Sequence, residues 1–511
     1  MLRWITVTVV LVACGRQTLQ VTEPEGPPPP MVATPKAPEV PMSDPAEYGI
    51  DRISRDAGKA IFERTGIGDP YRTGVPYPVF LALQRAYPDV LGKDGQELAQ
   101  KFGFVGRAVE PSSSDPDLRA GLPIGLHLTT DPMTGVQFLM TACAACHAER
   151  LRWQGGEAVI YGLGNKRVKI HAYDRAYAQV TRQPGFSVTL LASLATAAAT
   201  ERKLVWPEQY REVFTAKAVS ALTTRAAQRT KLHERTAEDP PGRVAVIESF
   251  ALVLAQLTGK PIDDAPAVGW AKVPDVIGYA VRTTLSWDGS GEGPIDLLAV
   301  EADVAAGVRV EWLERHPFQG ASLGAYLRQP APRPAFPGKI DKALAAKGKE
   351  LFGDQCAHCH GTYAADGRVA DYTEQIVPIE DLHVDAARMM AATESFERVA
   401  NDPALTRGYT KFRRSAGYVP PILTNVWARA PYGHVGQWPS LAVLAMAPEK
   451  RPVKFTLDYA ALYDLGAVGI ASGTAGYAYD AARTGFGNGG HPFLADLGAD
   501  ARAVIEYLKT L

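Results

Sequence analysis

The sequence predicts a mainly α-helical fold in two domains, on three observations. Apolar residues recur at three- and four-residue spacings over residues 243–257 and 294–313, the period of an amphipathic helix. No sustained alternating run demands a large sheet. The pattern Cys-x-x-Cys-His occurs twice, as Cys143-Ala144-Ala145-Cys146-His147 and Cys356-Ala357-His358-Cys359-His360, once in each half of the chain.

The repeated pattern is the attachment signature of c-type haem. Two thiols add to the two vinyl groups of one porphyrin, and the adjacent histidine is placed beneath the iron. Two covalently bound haem c groups are therefore expected, on Cys143 and Cys146 and on Cys356 and Cys359, with His147 and His360 as proximal metal ligands. Of the five cysteines, only Cys14 lies outside the motifs, so no thiol pair remains for a structural disulfide. A formal charge of −1 from 54 basic and 55 acidic residues gives no basic excess, and nucleic acid is not expected as a partner.

Taken along the chain, Met1-Leu2-Arg3 and the apolar run from Trp4 to Val12 have the make-up of a secretory signal, too short to span a bilayer. The run ends in Leu11-Val12-Ala13-Cys14, which resembles a bacterial lipobox, so residues 1–14 read as a lipoprotein signal with Cys14 as the lipidated residue. Residues 15–46 are crowded with proline and have little to bury; they read as an extended tether. Gly15 after Cys14 favours the outer membrane, so the expected place is its periplasmic face or the cell surface. The membrane is then one partner, through the lipid anchor, and a redox protein is another. Residues 47–330 form the expected amino-terminal haem domain, with longer helical insertions. Pro330, Pro332, Pro334 and Pro337 mark a linker within 327–338.

Residues 339–511 form the expected second domain. It opens with a helical pattern through Gly348, Leu351 and Phe352, and closes with Ala501, Val504, Ile505, Leu508 and Leu511 on one helical face. Together with the haem motif and Tyr507-Leu508, these residues resemble a class I cytochrome c. The sixth iron position decides between electron transfer and catalysis. For the second haem the residues alone leave three candidates: His491 in Gly487-Asn488-Gly489-Gly490-His491-Pro492, His434 in Ala430-Pro431-Tyr432-Gly433-His434, and Met446. His434 is also a candidate partner for a haem propionate.

Leu122-Pro123-Ile124-Gly125, Asp131-Pro132-Met133-Thr134-Gly135, Trp287-Asp288-Gly289-Ser290 and the stretch from Tyr418 to Pro452 resemble the rubber-oxygenase-like branch of bacterial dihaem cytochromes c. That branch is related more distantly to the dihaem cytochrome c peroxidases. The resemblance implies His491 as distal ligand of the second haem and an accessible distal face on the first. Where related sequences carry aromatics, this chain has Trp270, Lys272 and Pro274, so Trp270 and Lys272 are expected beside the first haem and rubber cleavage is not carried over. The expected function is electron transfer. The alternative is a haem-dependent oxidoreductase of peroxidase or oxygenase type, acting on peroxide, oxygen or another small substrate at an open first haem. Glu149 and Glu157 are its acid–base candidates.

Overall fold

Asp341 begins the element that frames the second haem motif. Its carboxylate accepts from the amides of Ala343 and Leu344, two donors that the helix Lys342–Gln355 cannot satisfy itself. This helix crosses the terminal helix Ala501–Leu508, whose stripe of Ala501, Val504 and Leu508 is buried as its spacing predicts. Gly348 sits at the crossing. A Cβ there would lie 1.9 Å from the carbonyl oxygen of Ala503, so the two backbones approach through the missing side chain. Phe352 and Tyr507 complete the contact, with ring centroids 5.3 Å apart.

The computed structural model describes residues 54–66, 68–276, 279, 281–293, 308, 310–316, 318–328, 333–403 and 411–511. Cys14, the signal and the tether lie outside the described residues. So do residues 294–307 of the second periodic stretch and residues 329–332 of the linker. Among the described residues no helix is long and apolar enough to cross a membrane.

The expectation of a mainly α fold is overturned. Among the described residues helix accounts for 44% and strand for 14%, and the strands form eight small sheets, one of three strands and seven of two. Each Cys-x-x-Cys-His motif runs directly into such a hairpin. After His147, Ala148–Trp153 pairs antiparallel with Gly156–Tyr161, from Ala148 opposite Tyr161 to Trp153 opposite Gly156. After His360, Thr362–Tyr363 pairs with Val369–Asp371. Strands of two to six residues are too short for an alternating pattern to emerge, and in Ala148–Trp153 the buried face begins with a charged residue, Glu149, ahead of Leu151.

The first periodic stretch divides in the same way. Arg243–Val244 is a strand paired with Ala271–Lys272, and the helix Val246–Thr258 starts only after it. Helices Ile170–Val180 and Val188–Arg202 pack on Glu208–Gln228, which meets the three-stranded sheet of Val75–Pro76, Gln137–Thr141 and Leu126–Thr130 through Phe214, 5.8 Å from Phe138; Tyr173, Leu191 and Ala195 are buried with it. The core runs across the expected linker. One buried cluster joins Leu151, Ile160 and Trp270 to Trp427, Tyr432 and Leu508, and another joins Ile247 and Phe250 to Phe396 and Phe412.

Candidate functional site

The second motif opens onto a cavity of about 240 Å³. Cys356, Cys359 and His360 line it on one side, and Val419, Ile422, Leu441, Leu444 and Leu494 give it an apolar lining. His360 Nδ1 lies 2.8 Å from the carbonyl oxygen of Pro421. A carbonyl only accepts, so Nδ1 carries the proton and Nε2 keeps a lone pair for a metal. The ring of His491 stands 6.2 Å from that of His360, centroid to centroid. Two imidazoles sharing one metal, each with a metal–nitrogen bond of about 2 Å and half a ring beyond it, have centroids about 6 Å apart. The pair has the spacing of two axial ligands.

Electrostatics fit the same use. Burial, then the neighbouring His360, pushes the pKa of His491 down to about 3, so it is neutral and able to ligate. Burial also pushes the Cys356 thiol up to about 11 and the Cys146 thiol up to about 12. A redox dithiol requires the opposite shift, towards thiolate. Thiols kept protonated suit thioether attachment instead.

One end of the cavity is polar. Lys272 Nζ donates to the carbonyls of Arg429 at 2.8 Å and Pro431 at 2.6 Å, and lies 5.7 Å from the Trp287 ring centre. Burial, followed by the nearby Lys166 and Arg429, holds its pKa well below the ordinary lysine value. Arg282 and Arg429 also line the cavity. Each is already paired with a carboxylate, Arg282 with Glu374 at 3.2 Å and Arg429 with Asp275 at 3.4 Å. His434 also faces this cavity, stacked on Tyr418 with centroids 4.6 Å apart, its Nδ1 3.4 Å from Gln437 Nε2 and its Nε2 without a hydrogen-bond partner. Burial pushes His434 down to about 3.

The first motif repeats the proximal arrangement. Cys143–Ala145 is a single 3-10 turn, and His147 Nδ1 lies 3.1 Å from the carbonyl oxygen of Pro274. Burial pushes His147 down to about 4. The ring against His147 is Phe62, at 6.3 Å, which has no atom to offer a metal. Lys272, expected beside this motif, lies in the second cavity. Trp270 packs edge-on to His171 at 5.6 Å, and His171 is itself engaged with the Ala245 amide. Glu149 is committed to structure, accepting from the Lys166 amide and from Arg167 at 2.8 Å, while Glu157 is exposed on the hairpin.

Several contributors were not legible in the sequence. The carbonyls of Pro274 and Pro421 act through the main chain, which leaves no residue-type signal. Phe62 lies 81 positions before Cys143 in a helix that looks like any other amphipathic segment.

Residues 417–456 match the family described as RoxA-like, cytochrome c-like. The match supports a RoxA-like cytochrome c family and covalently bound haem c, and suggests a haem-binding redox protein. It falls wholly in the second half, so the expected pair of cytochrome c-type folds is corrected to one cytochrome c-like region. The chain is also similar to a protein of Sinorhizobium fredii (strain NBRC 101917 / NGR234) called uncharacterized protein y4iM. The two are 28% identical over 234 residues, 42% of this chain and 50% of that one. The chain thus matches about half the length of this relative.

Proposed function

We propose that the chain is a dihaem c-type cytochrome that transfers electrons, with one haem on each Cys-x-x-Cys-His motif and the second held between His360 and His491. The observation that carries this reading is the 6.2 Å separation of the His360 and His491 rings across the cavity that Cys356 and Cys359 line. Haem c, when bound, supplies one-electron chemistry. The protein's part is to hold the ligands rigidly: Pro421 fixes the His360 tautomer, and the carbonyls of Arg429 and Pro431 hold Lys272 in the cavity wall. Two strong axial ligands favour electron exchange with little rearrangement. In this reading the chain is exported and lipid-anchored at Cys14, on the periplasmic face of the outer membrane or at the cell surface. Its partners are the membrane and a redox protein.

The test is the spin state of the holoprotein. The second haem is expected to be low-spin, and His491→Ala to convert that signal to high-spin while both haems stay attached. A His491→Ala protein with its low-spin signal intact, alongside a His434→Ala protein that loses it, would reverse the ligand assignment.

A second reading, an oxidoreductase with chemistry at the first haem, is favoured by Phe62. Its ring packs 6.3 Å from His147 and has no atom that could ligate a metal. Carbon monoxide binding by one reduced haem, abolished in neither His491→Ala nor His434→Ala, is the expected outcome of this reading. Two haems that take up no exogenous ligand would leave the electron carrier alone.

A further inference from the structure

The His491 loop is gripped by one buried cation. Arg451 is only 3% exposed, and its donors all go to main-chain carbonyls. Nε donates to Met446 at 3.0 Å. Nη1 donates to Asn488 at 2.8 Å and to Gly490, and Nη2 to Leu444 at 3.0 Å and to His491 at 3.2 Å. A guanidinium has five N–H bonds in a fixed fork, and here all five meet an oxygen. The guanidinium carbon lies 5.5 Å from the Trp438 ring centre, and Trp438 Nε1 donates to the same Asn488 carbonyl at 3.0 Å. Asn488 returns the contact, its side-chain amide donating to Pro452 at 2.8 Å.

The loop needs holding. His491 has φ +52, the left-handed region that a residue with a side chain rarely adopts and that persists only when its surroundings impose it. A buried guanidinium costs several kcal/mol in lost hydration unless it is fully bonded, and charge-assisted bonds are roughly twice as strong as neutral ones. A cavity filler would need no such charge. What five directional bonds provide, and an apolar side chain does not, is a fixed path for the backbone from Asn488 to His491.

We propose that Arg451 is the positioning residue for His491, holding the loop so that the imidazole stands opposite His360 at ligating distance; this rests on His491 being the distal ligand. A lysine here, with three donors on one nitrogen, reaches fewer of the five carbonyls.

The test uses the full-length holoprotein as Arg451→Met, Arg451→Lys and His491→Ala, read by absorption and electron paramagnetic resonance. In Arg451→Met the second haem is expected to lose its low-spin signal and to bind carbon monoxide when reduced, with both haems still covalently attached. Added imidazole should restore the low-spin signal, because a free ligand replaces one that is misplaced. Arg451→Lys should fall between wild type and Arg451→Met. An Arg451→Met protein with the wild-type spectrum and no carbon monoxide uptake at the second haem, while His491→Ala shows both changes, would overturn the proposal. A His491→Ala protein with an unchanged low-spin haem would instead remove the ligand assignment, and the proposal with it. If Arg451→Met does not fold, the lysine variant decides: a fully native spectrum there also overturns the proposal.

Discussion

Asp275 is the perturbation whose effect can be worked out most directly. Its side chain is 4% exposed and is paired with Arg333, 2% exposed, and with Arg429, 9% exposed, whose Nε lies 3.4 Å away. Arg429 has two further acceptors in the carbonyls of Ile422 and Thr424, whereas Nε and Nη2 of Arg333 have no hydrogen-bond partner. Arg333 therefore depends on this carboxylate. Asp275→Asn keeps the volume and one acceptor oxygen but leaves a guanidinium buried without its anion. Removing one member of a buried pair costs about 3–5 kcal/mol, and the retained oxygen places this case near 3 kcal/mol. The assay is denaturant unfolding of the holoprotein, with Asp275→Asn, Arg333→Met and the double variant forming a cycle. Replacing both members with neutral groups is much closer to neutral than breaking the pair, so the double variant should recover about 2 kcal/mol over Asp275→Asn. A single-variant loss below about 1 kcal/mol, or a double variant no more stable than Asp275→Asn, would refute the dependence of Arg333 on Asp275.

Gly348→Ala should destabilise by about 3 kcal/mol, the upper end for overpacking, because its Cβ meets the Ala503 carbonyl at 1.9 Å and backbone cannot turn aside as a side chain does; the unfolding midpoint reads this. Asp174 is raised by burial but pulled further down by Arg225, His233 and Arg229, and its net pKa lies below the ordinary 3.8. Its contribution is therefore present above pH 3.8 and is lost as pH falls through the lower folded value, so Asp174→Asn should cost about 2 kcal/mol near neutrality. Unfolding curves of the two proteins should converge as the pH drops below about 4. Cys143→Ala with Cys146→Ala should leave one haem attached after denaturation, read by mass, where wild type carries two.

The two attachment motifs could be read because covalent haem chemistry fixes residue types at fixed spacing, whereas for the residue facing His360 the sequence alone left His491, His434 and Met446 open and only the family resemblance favoured His491. The helix pair around Gly348 was legible for a similar reason: apolar stripes of period 3.6 need a partner. The small sheets were not, since the hairpin after His147 begins Ala-Glu-Arg and buries Glu149 against Arg167, a pairing set by residues 18 positions apart. Lys272 was misplaced on similar grounds. The family resemblance put it beside the first haem, but the bonds from its Nζ run to carbonyls 157 and 159 residues away, at the second cavity.

The two motifs differ in what faces them more than in how they are held. Each proximal histidine presents Nδ1 to a proline carbonyl, Pro274 for His147 and Pro421 for His360, so both keep Nε2 for iron. Proline suits this position because its fixed φ stiffens the chain that carries the acceptor. Opposite His360 stands a second imidazole on a loop clamped by Arg451; against His147 stands Phe62. In the dihaem reading proposed above, these equivalent bonds would give both irons the same kind of donor on one side, and a difference between them would come from the rest of each site. Pro274 also lines the second cavity, which makes the residue that orients His147 part of the wall around the His360 site.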